Sequence, residues 1–282
     1  ELKIKIYAMV SVSKKNIEKF KKSGKIKTSK LNVRSFKVYG DGALGSRGAA
    51  LKNPYCDDPH NYGILRTSAE DLKFYAKEIA KMGFQMNTHA IGDSTVSVLL
   101  NEYKKILKDI DDPRWRIEHS QVVDINEFEL YNEKILPSIQ PTHATSDMYW
   151  AYDRLGSRIK GAYAFKDLLN SSSRVALGTD FPVEKVNPFH TFYSSVERKD
   201  LNGYPENGFQ MENSLTREET LKGMTIWGAY FNFEEHEKGS LEVGKSADFI
   251  VLNQNIMEVE ADLIPNTEVI QTYIDGELVY SK

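Results

Sequence analysis

Residues 84–93 read FQMNTHAIGD. Apolar and polar side chains alternate from Phe84 through Asn87, the period of a strand, and the run closes on His89 before Ile-Gly-Asp starts a new element. STVSVLLNEYKKILKDI (94–110) then reads as a helix ended by Asp-Asp-Pro. RWRIEHSQ (114–121) repeats the design, an alternating run closing on His119. Strand, helix, strand in this rhythm is the signature of a βαβ unit and a parallel sheet.

The same rhythm extends in both directions. Upstream, LKIKIYAMV (2–10) and VRSFKVYGDG (33–42) read as strands, with a helix between them capped by Ser13 and stopped at Gly24. A long loop, residues 43–66, precedes a helix over 69–83 capped by Ser68, and its length suggests a lid or binding loop. Downstream, the pattern predicts a short helix capped by Asp124, a strand over ILPSIQPTHA (135–144), a helix over 157–172 and a strand over RVALGTDFPV (174–183). A late helix over 215–233 is expected to be capped near Asn213. From about residue 238 the text changes to short strands broken by Gly-Lys and Asp-Gly turns. The expected architecture is an α/β barrel of the (β/α)8 TIM-barrel type, incomplete with about six of eight strands, over residues 1–237. Residues 238–282 are expected to form the C-terminal strands of a small β-sandwich.

Composition bounds the function. The chain has 282 residues, 40% hydrophobic and 27% charged, with a formal net charge of −3. Charge of that size, spread along the chain, gives no electrostatic case for nucleic acid or a membrane surface. The single cysteine, Cys56, excludes an internal disulfide framework and points to a reducing, cytoplasmic compartment. The partner expected is a small-molecule substrate.

In a parallel barrel the active site forms where strands give way to βα loops. The polar residues at those exits are Lys37, Asp41, His89, His119, His143 and Asp180, so three of the six histidines fall at consecutive exits. A lone histidine there is ordinarily a hydrogen-bonded structural residue, but barrel geometry brings successive exits over one cavity. Neutral imidazoles with a carboxylate suit a divalent transition metal.

Six motifs then occur in order: KVYGDGALGSRGAAL, NTHAIGDSTV, RIEHSQVV, QPTHATSD, LGTDFPVEKVNP and GSLEVGKSADFIVL. Together they resemble the amidohydrolase superfamily, in particular its YtcJ-like branch, amidohydrolase family 3. The resemblance implies a metal-dependent hydrolase of carbon–nitrogen bonds holding one or two divalent ions, zinc by expectation. It implies His89 and His119 as the metal ligands after the fifth and sixth barrel strands, and Asp180 as both ligand and general base. Lys37 matches a position where many relatives hold a lysine, carbamylated in some, that bridges two metals; a solvated or salt-bridged lysine is the alternative. His143 is expected to contact the substrate or transition state from the seventh strand. Arg47, Asp41 and Trp150 are expected around the mouth as substrate contacts, Arg47 by clamping a carboxylate, with an ordinary ion-paired loop arginine as its alternative.

The resemblance also exposes a departure. Such hydrolases carry a His-x-His pair at the end of the first strand, and these residues contain none. The expectation is therefore a C-terminal portion of a longer protein, inactive alone, whose open sheet edges pair with another copy or rearrange. Two rivals remain: a hydrolase of another bond, such as an ester, and a non-catalytic binding or regulatory protein on a degenerate scaffold.

Overall fold

The computed structural model describes residues 2–282. Strand β1 (Ile6–Ser11) leads into helix α1 (Lys14–Ser23). Ser13 opens that helix by accepting from the Asn16 N–H at 3.1 Å, and Gly24, at φ +69°, closes it. β2 (Ile26–Lys27) is a two-residue antiparallel partner of β3 (Leu31–Tyr39). Then come α2 (Ala69–Lys81), β4 (Gln85–Ala90), α3 (Asp93–Ile106), β5 (Trp115–His119) and β6 (Ile135–Ile139). They are followed by α4 (Pro141–Asp147), α5 (Ala151–Leu155), α6 (Phe165–Ser172), β7 (Ala176–Leu177), α7 (Pro188–Glu197), α8 (Arg217–Met224) and α9 (Ile226–Phe231).

The strands β1-β3-β4-β5-β6-β7 are neighbours in that order, every pair parallel, and the sheet curls into a half-barrel. Register divides its two faces. Val38, Thr88, Ile117 and Pro137 lie side by side on one face. Tyr39, His89, Glu118 and Ser138 form the corresponding row on the other. Helices cover the apolar face, and the core lies between: Phe36, Leu72, Ile79, Met86, Leu99, Tyr103 and Trp115 are all buried. Phe20, Phe36 and Phe84 meet there with ring centroids 5.3–5.9 Å apart, a tilted and edge-on trio that anchors α1 to the sheet. β8 (Phe249–Leu252), β9 (Val269–Ile274) and β10 (Glu277–Ser281) make a separate antiparallel sheet in the order β10-β9-β8.

Several local expectations are corrected. The strand predicted through residue 144 ends at Ile139, and Pro141 starts α4, so His143 sits in a helical first turn and not on a strand. Proline is well suited there because its fixed φ fits a first turn that needs no N–H donor. The strand predicted over 174–183 shortens to Ala176–Leu177. The helix predicted from Asp124 is only a 3₁₀ turn at Phe128–Leu130. The helix expected over 157–172 breaks into a 3₁₀ segment, Gly156–Gly161, and α6. The late helix is capped by Thr216 with Glu219 in a reciprocal capping box, and it breaks at Thr225. Asn213 instead accepts from the Lys166 N–H at 3.1 Å, serving the first turn of α6 across the chain.

Candidate active site

The long loop after β3 is tied to the exit of β4 by one carboxylate. Asp41 is wholly buried and accepts from the Ala50, Ile91 and Gly92 N–H groups and the Thr95 hydroxyl, at 2.8–3.0 Å. Burial pushes its carboxyl up to about 6 against the pull of those donors. Gly92 makes the weld possible: a Cβ there would stand 2.0 Å from the Ala50 carbonyl oxygen. Asp41 thus lies beneath the mouth, bonded to scaffold, where the sequence suggested a substrate contact.

His89, held by this weld, places Nε2 3.4 Å from the Gly42 carbonyl oxygen and 3.5 Å from Asp41 Oδ1. His119 arrives differently. Its register partner is Ala90, so simple alternation would send it to the helix-covered face. Instead His119 (φ +77°) and Ser120 (φ +44°) leave the strand in the left-handed region, and the two imidazole centroids stand 4.6 Å apart, edge to face. Backbone strain of this kind costs on the order of 1–3 kcal/mol per residue and is retained where surrounding contacts enforce it. Here Ser120 Oγ donates to the Ile117 carbonyl and accepts from the Tyr131 hydroxyl at 2.8 Å.

His143 stacks on His119 at 5.7 Å between centroids, and its Nε2 lies 3.9 Å from Asp180 Oδ2. Burial lowers the pKa of all three histidines: His89 falls to about 4, and His119 is lowered further by His89, His143 and Lys37 around it. At neutral pH each ring is therefore uncharged, with a lone pair to offer. His119 Nδ1 and His143 Nε2 are buried without a hydrogen-bond partner among the described residues.

Asp180 adopts φ +56° in the loop after β7. Its carboxylate has no hydrogen-bond donor among the described residues; partial burial raises its pKa, and the Lys37 charge opposes that rise. Lys37 faces the same side, its Nζ 5.4 Å from the Tyr39 ring centroid. Arg47 is committed elsewhere, with Nε 3.1 Å and Nη2 2.9 Å from the two oxygens of Asp57, the ion-paired alternative considered for it. Trp150 packs its ring on Gly45 of the long loop, with the Arg154 guanidinium 5.5 Å from its ring centroid.

The donor chemistry fits a divalent ion in part. Two neutral imidazoles edge to face, one with an orphaned buried nitrogen, are what such an ion requires. Yet among the described residues no group of three or more His, Cys, Asp and Glu stands together closely enough to hold one.

The sequence pattern of the amidohydrolase family matches residues 2–280. The chain belongs to the amidohydrolase family. It is 31% identical over 270 residues to the putative amidohydrolase YtcJ of Bacillus subtilis, covering 94% of this chain and 50% of that protein. It is equally 31% identical, over 262 residues, to the protein LONG AFTER FAR-RED 3 of Arabidopsis thaliana, covering 91% of this chain and 44% of that protein. An uncharacterized metal-dependent hydrolase from Pyrococcus horikoshii superposes with a TM-score of 0.80 at 27% identity, over 92% of this chain and 52% of that structure. A Pyrococcus furiosus counterpart gives 0.80 at 28%, over 91% and 52%. This amidohydrolase chain thus spans about half the length of the relatives it matches.

Three residues around the site of this amidohydrolase escaped the sequence reading. Glu118 faces the interior beside His89, as alternation along RIEH could have told. Tyr39, half exposed, closes β3 with its ring 5.9 Å from that of His89. Arg66 lies at the far end of the long loop, where no local pattern marks it.

Proposed function

We propose that the protein carrying this chain hydrolyses an amide-type carbon–nitrogen bond of a small molecule, and that the site at the exits of β4, β5 and β7 does the chemistry. The observation that carries this reading is the gathering of three uncharged imidazoles beside an unbonded carboxylate, two of these four residues held in left-handed backbone. A fold that only needed stability would have no reason to retain that strain or those orphaned nitrogens.

A divalent ion of the zinc type would be held by His89 and His119, with Asp180 and, once carbamylated, Lys37 drawn in to complete the set. Such an ion supplies Lewis acidity and a bound water of lowered pKa. Asp180 accepts a proton from the attacking water and returns it to the departing nitrogen, so that water adds across the C–N bond and the proton count balances. Burial, by raising the Asp180 pKa, makes it a stronger base toward that water than an ordinary solvated carboxylate. His143, neutral and 3.9 Å from Asp180, turns a buried nitrogen toward the place where the carbonyl oxygen gathers charge.

The formamide deformylase of Arthrobacter pascens, named for N-substituted formamides, is 21% identical over 257 residues and makes formamides a reasonable first substrate class. A panel of formamides, N-acyl amines, cyclic amides and esters, offered to the full-length protein before and after chelation, tests the proposal. Amide cleavage lost on chelation and regained with zinc is the expected result. Preference for esters moves the reading to another bond. No turnover of any class, with metal bound or removed, would instead favour a binding protein on this scaffold.

A further inference from the structure

The charged groups around the mouth are not balanced. Arg47 is held by Asp57, which also bonds Arg154, so neither guanidinium is free for a ligand. Arg66 is different. Among the described residues its guanidinium has no hydrogen-bonded acceptor and no ion-pair partner; its nearest recorded neighbour is the Tyr39 ring, 5.7 Å from Cζ to centroid.

The backbone that carries Arg66 is held in place. Its N–H donates to the Gly40 carbonyl at 2.8 Å, and the neighbouring Thr67 hydroxyl donates to the Tyr39 carbonyl at 2.7 Å. These bonds pin the end of the long loop to the exit of β3. The Tyr39 ring therefore has two cations near it, Lys37 Nζ at 5.4 Å and Arg66 at 5.7 Å, and the His89 ring at 5.9 Å. Both cations act on His89 with the same sign, adding to burial in lowering its pKa. An exposed tyrosine ring with an unpaired guanidinium beside it, on a loop end held by its backbone, is a platform for an anion with an apolar neighbour.

We propose that Arg66 binds a carboxylate of the substrate, so that the natural substrate class is an N-formyl or N-acyl amino acid and not a neutral amide. This rests on the hydrolase reading above and assigns to Arg66 the clamp that sequence alone suggested for Arg47. The planar fork of arginine accepts a carboxylate in two parallel bonds, which fixes the amide relative to Asp180 as well as adding affinity.

The test pairs N-formylphenylalanine and N-formylleucine with the formamides of the corresponding decarboxylated amines, using the full-length protein. Arg66→Ala should lower kcat/KM for the carboxylate substrates about 10- to 100-fold, leave the neutral ones within about twofold, and be partly rescued by Arg66→Lys. Equal losses on both members of a pair, or none on either, overturn the proposal. Calorimetric titration with 3-phenylpropanoate, which has the carboxylate but no amide, reads the anion site without turnover. Binding by the wild type that Arg66→Ala abolishes upholds the site even if no amide is cleaved, in which case the hydrolase reading is what fails. Absence of binding to the wild type, or unchanged binding to the variant, overturns it.

Discussion

Asp41 and Asp180 are both aspartates just past the end of a strand, and the structure uses them in opposite ways. Asp41 is wholly buried and receives four donors. The Asp180 side chain is 40% exposed, in left-handed backbone, with no donor among the described residues. A carboxylate whose lone pairs are filled by backbone N–H groups is part of the scaffold. One left unfilled beside His143 and within the field of Lys37 is free to exchange a proton. The difference lies in partners, not in sequence context.

The largest effect expected from breaking this contrast is kinetic. Asp180→Asn should reduce turnover of the full-length enzyme roughly 10²–10⁴-fold while leaving the thermal midpoint near wild type. Turnover close to wild type would remove Asp180 as the base. The reciprocal change, Asp41→Ala, leaves three N–H groups and a hydroxyl without their acceptor, and should cost roughly 3–5 kcal/mol in urea unfolding. A loss below about 1 kcal/mol would show that water replaces the carboxylate.

An acid titration separates the two regions further. His89 takes a proton near 6.5 in an unfolded chain and near 4 when folded, so between those values the unfolded state holds more protons. Its contribution to stability is therefore complete above pH 6.5 and drains away as the pH falls toward 4. Asp41, raised from 3.8 to about 6, acts with the opposite sign over much of that window. The wild-type stability curve minus that of His89→Gln isolates the histidine. It should change by roughly 2–3 kcal/mol from pH 7 to pH 4, and a flat difference would mean that His89 titrates normally. The smallest effect is expected for Arg47→Ala, which removes a partly exposed ion pair with Asp57: a thermal midpoint close to wild type and no change in kcat/KM. A selective loss on carboxylate substrates would return the clamp to Arg47 at the expense of Arg66.

Much of the fold was legible because its signals are local. Alternation in FQMNTH and RWRIEH, the Ser13 and Ser68 caps and the glycine stop of α1 concern neighbours within a turn or a strand. Legibility failed where the chain leaves regular structure. The β7 strand is two residues long, and His143 rides a helix started by Pro141, because loop geometry there answers to distant contacts. Within the candidate site, residue type marked His89, His119, His143 and Asp180, but not which charges stay unpaired. Arg47 finds Asp57 ten residues away and Arg66 finds no acid among the described residues, although both arise in the same loop.

By itself, then, the sequence determined the parallel βα rhythm, the succession of exits and the kinds of atom offered there, since these follow from periodicity and residue chemistry. Only the tertiary structure decided that His119 turns against its own strand to meet His89, and that Asp41 is buried as a weld. It alone left the Arg66 guanidinium without an acidic partner among the described residues. Those outcomes depend on desolvation and on partners brought from across the chain, and neither is a property of any short stretch of residues.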